Sequence, residues 1–218
     1  MKLWVRAPEY NSLDRQVCLV YFDNMTKTVT SSDSRTRILE TAYRLFYEQG
    51  YHATGINQII AEAGVAKASF YHHFPSKKDL CIAFLQKRHR DWFSWLKQEV
   101  DSHVEPRERI LSLFAFLEQW LTTSKFRGCA FLNLTSEFPI PDSVIRRMIV
   151  VHKAELREYI KELVQSFVDK TASPQKVEVA SLADTIYVLF EGSIITSQVY
   201  SSIWAIQSSR EAVQRILT

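Results

Sequence analysis

The sequence predicts an all-α chain in two parts, a small three-helix domain near the N-terminus and a larger helical domain after it. Two observations carry that expectation. Apolar residues recur at three- and four-residue spacing through most of the chain, the period of helices with one buried face. Five glycines and six prolines in 218 residues leave few breaks, and no segment alternates as a half-buried strand does.

Residues 1–24 fit neither helix nor strand, because Trp4, Pro8 and Asp14 fall in no sustained period and no cap is present. From Met25 the run MTKTVTSSDSRTRILE reads as a short polar arm leading into a helix. The expectation is an extension over residues 1–30, with Met25 as the native start.

Ile56, Ile59, Ile60 and Ala63 then give one helix an apolar stripe, with Thr54 as its expected N-cap. Gly64 stops it, since a left-handed residue after a helix carries no steric penalty in glycine. A second helix follows from Val65 to Phe74, with Val65, Phe70 and Phe74 inward and Lys67, Ser69, Tyr71, His72 and His73 on other faces. Pro75 ends it, and Ser76 is placed to cap the next helix, with Lys77 and Lys78 in its first turn. Two short helices around a Gly-containing turn make a helix-turn-helix, and its exposed residue types suit phosphates and base edges.

The next helix is expected from Ser76 to about Val100, with Leu85, Trp92, Leu96 and Val100 in register. Pro106 suits the first turn of another, in which Ile110, Phe114, Leu117 and Leu121 form one stripe and Leu113, Phe116 and Trp120 a second. Such a helix is buried on two sides. A short helix follows Gly128, and the PIPD run at 139–142 breaks it. Asp142 or Ser143 then caps a long helix reaching about Asp169, seamed by Ile145, Ile149, Leu156, Leu163 and Phe167. Ser173 and Pro174 open another, with one stripe of Ala180, Ala183, Tyr187, Phe190 and Ile194 and a second of Val179, Leu182, Ile186 and Leu189. One neighbouring face cannot cover both stripes. With Gly192, Ser193 and Ser197 permitting close approach, the expectation is a homodimer through a two-fold four-helix interface.

Over Ile56 to Leu80 the chain resembles the TetR family of transcriptional regulators, through Ile59, Ala63, Gly64, Val65, Lys67, Tyr71, His73, Phe74, Ser76, Lys77 and Leu80. Ile60, Ala66, Ala68 and Phe70 depart mildly from the usual pattern, and none removes a polar group needed for docking. Upstream, Arg35 to Tyr51 resembles the family's first helix. Arg127 to Phe138 resembles a motif of one branch of its C-terminal domains. The resemblance implies a helix-turn-helix DNA-binding domain at residues 31–78 and a helical effector-binding and dimerisation domain at 79–218. Its partners would be double-stranded DNA with a palindromic operator, a second copy of the chain and a small-molecule effector. The expected role is a repressor, with an activator or a helical protein-interaction module as alternatives. Salt separates DNA from protein partners, because phosphate neutralisation makes DNA affinity fall steeply with added salt.

Carried onto matching positions, Lys67 and Ser69 lie near base edges or phosphates, Asn57 reaches a base, and Tyr71, His72 and Lys77 meet phosphates. Ala68 touches a thymine methyl, Thr54 adds an incidental phosphate contact, and His73 and Phe74 pack the domain. Codons permitted for Leu13 to Leu19, LDRQVCL, include CTAGACAGACAGGTCTGTCTA. There TAGACAGAC meets its own reverse complement, the dyad form that a two-fold reader recognises.

An effector pocket is also implied, for which Trp92, Trp95, Phe114, Phe116, Trp120, Phe126, Phe131, Phe138 and Tyr187 supply aromatic lining, although each taken singly reads as ordinary core. Cys129, after Arg127 and Gly128, carries two readings. The preferred one is a small buried hydrophobe; the rival is a thiol activated by positive charge and a helix N-terminus, able to sense electrophiles.

Composition narrows the classes further. A net charge of +3 requires DNA affinity to come from locally placed cations. Cys18, Cys81 and Cys129 are too few for a disulfide framework, which suits a reducing cytoplasm. No segment is expected to cross a membrane. The six histidines show no zinc spacing, and no phosphate loop or nucleophile elbow appears, so neither metal, cofactor nor enzyme activity is expected.

Overall fold

The computed structural model describes residues 33–140, 143–171 and 178–218, all of whose regular structure is helical. The expected extension with Met25, the dyad-coding Leu13 to Leu19, Cys18, Asp142 and the Ser173–Pro174 pair lie outside the described residues.

Three helices form the head: α1 (Ser34–Glu48), α2 (Ile56–Ala63) and α3 (Lys67–His73). Their apolar faces close on Ile38, Ala42, Leu45, Ile59 and Phe70, each buried. Gly64 takes the left-handed conformation expected of it, with φ 61°. Thr54 corrects the sequence reading. The N-cap of α2 is Gly55, and the buried Thr54 hydroxyl instead donates to the Gly50 carbonyl at 2.7 Å. A hydroxyl so enclosed ties the end of α1 to the start of α2 and is withdrawn from solvent.

Helix α4 (Lys77–Asp101) joins head to body, and Ser76 caps it as expected, its Oγ accepting from the Asp79 N–H at 3.2 Å. The body adds α5 (Pro106–Thr123), α6 (Ala130–Glu137), α7 (Val144–Thr171), α8 (Val179–Tyr200) and α9 (Trp204–Ile216). Helix α5 is central and packs on α4, α7, α8 and α9, which explains its two buried stripes. Ser143 caps α7 by accepting from the Arg146 N–H.

The C-terminal end differs from expectation. Ser201, at φ 49°, ends α8 without glycine or proline, and α9 packs back against it. That break lacks the residues that usually announce one. Helix α8 is also long and apolar enough to cross a membrane, contrary to the sequence reading. Its two central carboxylates are neutralised within the fold, Asp184 by Arg157 at 2.6 Å and Glu191 by Lys153 at 2.7 Å, and its buried side packs on α7 and α9.

The two predicted stripes of α8 merge into one. Leu182, Ala183, Ile186, Phe190 and Ile194 are buried together, while Ala180 is exposed and Val179, Tyr187 and Leu189 are half-buried. The uncovered strip is Ser181, Thr185, Val188, Gly192, Ile195 and Val199, all exposed at helical spacing.

Candidate nucleic-acid interface and effector cavity

Helix α3 presents Lys67, Ala68, Tyr71 and His72 to solvent, and Asn57 is exposed on α2. The opposite side of α3 is anchored by Phe70, wholly buried, so these residues share an outer face held by a packed one. Ser69 is half-buried. His73 is also half-buried, with Nε2 3.9 Å from Asp33, and Phe74 is buried, both in line with packing roles.

Lys77 is placed differently from expectation. Its ammonium lies 4.3 Å over the Tyr51 ring, and burial pulls its pKa down against the opposing charge of Glu137. The exposed Lys78, which makes no ion pair among the described residues, carries the free ammonium instead. Sequence spacing could not separate the two lysines, since adjacent residues of a first turn differ only in what stands beside them.

The head is fastened to the body by the segment before and through α6. Arg127 Nε donates to the Tyr47 carbonyl at 2.8 Å, and the Tyr47 hydroxyl donates to the Gly128 carbonyl at 2.8 Å. At the other end of α6 the Glu137 carboxylate accepts from the Tyr51 N–H at 3.0 Å and the His52 N–H at 2.6 Å. Tyr51 and Phe138 pack ring to ring at 4.9 Å. Each terminus of one short helix therefore holds the end of α1.

The predicted aromatic set divides. Trp95, Phe116 and Trp120 do line a cavity of about 630 Å3, together with Tyr47, Arg88 and Gln119, which sequence reasoning missed. Trp92, Phe114 and Phe131 are core: Phe131 stacks on the buried His152 ring at 3.7 Å, and Trp92 and Phe114 pack on Phe190. Tyr187 lines a separate groove beside Lys153. Arg88 stands in the run KRHRD, whose charges in sequence alone do not differ from those of a solvated face.

Cys129 is buried at the N-cap of α6, as the preferred reading expects. Its charged neighbour is not Arg127, which turns toward α1, but Lys153, whose Nζ lies 3.6 Å from Sγ and 2.7 Å from Glu191. Burial works against the Lys153 charge, yet Cys129 and Glu191 hold its pKa above the ordinary value. Cys81 is free and buried, and burial drives its thiol pKa well up.

Residues 38–84 match the family described as bacterial regulatory proteins, tetR family, and residues 106–213 match the tetracyclin repressor-like C-terminal domain. The HTH-type transcriptional regulator YxaF of Bacillus subtilis is 32% identical over 169 residues, covering 76% of this chain and 85% of the relative. The HTH-type transcriptional repressor DhaR of a Mycobacterium species is 26% identical over 191 residues, covering 84% of this chain and 88% of its own. A TetR-family regulator from Streptomyces coelicolor superposes with a TM-score of 0.78 at 26% identity, covering 90% and 96% of the two chains.

Proposed function

Since this chain belongs to the TetR family and is a DNA-binding transcriptional regulator, we propose that it works as a homodimer, represses from a palindromic operator, and is released by a small-molecule effector. The observation that carries this reading is the double fastening of α1 to α6, through Arg127 and Tyr47 at one end and Glu137 at the other. A body that changes shape must then move its head. Two recognition helices held about 34–36 Å apart fit successive major grooves, so a change in span weakens binding.

Dimerisation is supported by the uncovered strip of α8. Val188 and Val199 are 66% and 70% exposed in a single chain, and Gly192 between them permits close helix approach. Repression accords with the name of DhaR. The proposed DNA contacts are Asn57, Lys67, Ala68, Ser69, Tyr71 and His72, with Lys78 replacing Lys77 and Thr54 withdrawn.

Mobility shift on a duplex spanning the chain's own promoter and first codons tests the reading. Lys67→Ala with Tyr71→Ala should abolish binding and leave the dimer intact, whereas Val188→Asp with Ile195→Asp should yield monomers by sedimentation. Each phosphate contact removed singly should lower the salt slope by about 1. Salt-independent binding, or full affinity in the Lys67/Tyr71 variant, refutes the assignment.

A second reading, in which the effector is an electrophile and Cys129 its sensor, draws on the Lys153 ammonium 3.6 Å from the sulfur. Release by N-ethylmaleimide that persists in Cys129→Ser removes it.

A further inference from the structure

The cavity between α4, α5 and the head contains a cation with no ion pair among the described residues. Arg88 is 5% exposed, and its one hydrogen bond among the described residues runs from Nη1 to the Tyr43 hydroxyl at 3.1 Å. Its guanidinium otherwise faces rings, lying 4.1 Å over Tyr47 and 5.7 Å from Trp95. It makes no ion pair among those residues. Cation–π contacts offset part of the desolvation of a buried cation, and a paired anion offsets more.

The surroundings specify the anion. Nε and Nη2, which form one fork of a guanidinium, have no acceptor among the described residues, and that fork matches a carboxylate bidentately. Around it stand flat apolar walls: Phe116 and Trp120 are stacked at 12°, with Trp95 43% exposed. The indole N–H of Trp120 has no acceptor among the described residues either. Glu99, the one carboxylate of the lining among the described residues, is drawn to His103 at 3.7 Å. A volume of about 630 Å3 falls within the usual range for small-molecule sites.

We infer that this cavity binds a planar aromatic carboxylate, its ring against the Trp95, Phe116 and Trp120 walls and its charge on Arg88. The inference rests on the effector-released reading and names that effector's chemistry. A carboxylate on Arg88 competes with the Tyr47 ring for the guanidinium. Tyr47 belongs to α1 and its hydroxyl holds Gly128, so the ligand acts at the joint that sets the head. The shift it produces is bounded by its differential affinity for the two arrangements.

The test uses three probes of one shape and different charge: naphthoate, naphthalenemethanol and naphthylmethylammonium. Calorimetric titration of the full chain should give naphthoate an affinity at least ~10-fold above the alcohol, as expected for hydrogen bonds to a charged acceptor. The ammonium should not bind. Arg88→Met should remove that preference while sparing the alcohol, Arg88→Lys should retain part of it, and Phe116→Ala should weaken alcohol and acid alike. Circular dichroism identifies variants that fold. Equal affinity for acid and alcohol, naphthoate binding indifferent to Arg88→Met, or no binding of any probe overturns the site. Arg88-dependent naphthoate binding that leaves the promoter complex intact keeps the site and refutes the effector-released reading instead.

Discussion

Glu137→Ala isolates the fastening of head to body, because this carboxylate is the hydrogen-bond acceptor for two consecutive backbone N–H groups beyond the end of α1. The Tyr51 bond, at 3.0 Å, is part-buried; the His52 bond, at 2.6 Å, is exposed. A buried bond to a charged acceptor contributes roughly 1.5–3 kcal/mol, so about 1.5 is assigned to Tyr51. Water replaces much of the exposed one, leaving about 0.5 kcal/mol for His52. Hydrogen exchange reads the two separately. Protection of the Tyr51 amide should fall ~10-fold and that of His52 ~2-fold, while the urea midpoint drops by the equivalent of about 2 kcal/mol. Glu137→Gln keeps one acceptor oxygen and should lose about half of this. Unchanged protection at both amides refutes the latch.

Three further outcomes follow from the geometry. Gly128 sits at φ +79°, and a Cβ there would lie 2.2 Å from the Gln198 Oε1, so Gly128→Ala should cost about 2–4 kcal/mol in urea denaturation, partly recovered by adding Gln198→Ala. Burial, with the charges of Lys153, His89 and Arg88, holds the His152 pKa well below 6.5. Below that pH the unfolded chain takes up a proton the folded one refuses, so stability falls as pH drops, by up to about 1.4 kcal/mol per unit, and His152→Gln should flatten the difference between urea midpoints at neutral and mildly acid pH. Phe114→Ala, at a wholly buried site, should cost about 3–5 kcal/mol, against under about 1 for the half-exposed Trp95→Ala; equal losses would contradict their separation into core and cavity wall.

What could be read directly was local. Helix period, the left-handed Gly64, the Ser76 cap and Pro106 in a first turn each depend on a residue and its immediate neighbours, and each appears as expected. The helix-turn-helix was legible for the same reason, its inner and outer faces being written into the residues from Ile56 to His73.

Tertiary structure decided whatever depends on a neighbour distant in the chain. Whether Thr54 caps or is enclosed turns on the carbonyls at the end of α1, and whether Lys77 or Lys78 is free turns on Tyr51. Aromatic residues at helical spacing look alike in sequence, yet packing against His152 or Phe190 makes some core, and a missing neighbour leaves others lining a cavity. Arg88 is the sharpest instance: its type is fixed by the gene, but its buried charge, without an ion pair among the described residues, exists only where α1, α4 and α5 meet, because burial and Coulomb energy are properties of surroundings and not of residues.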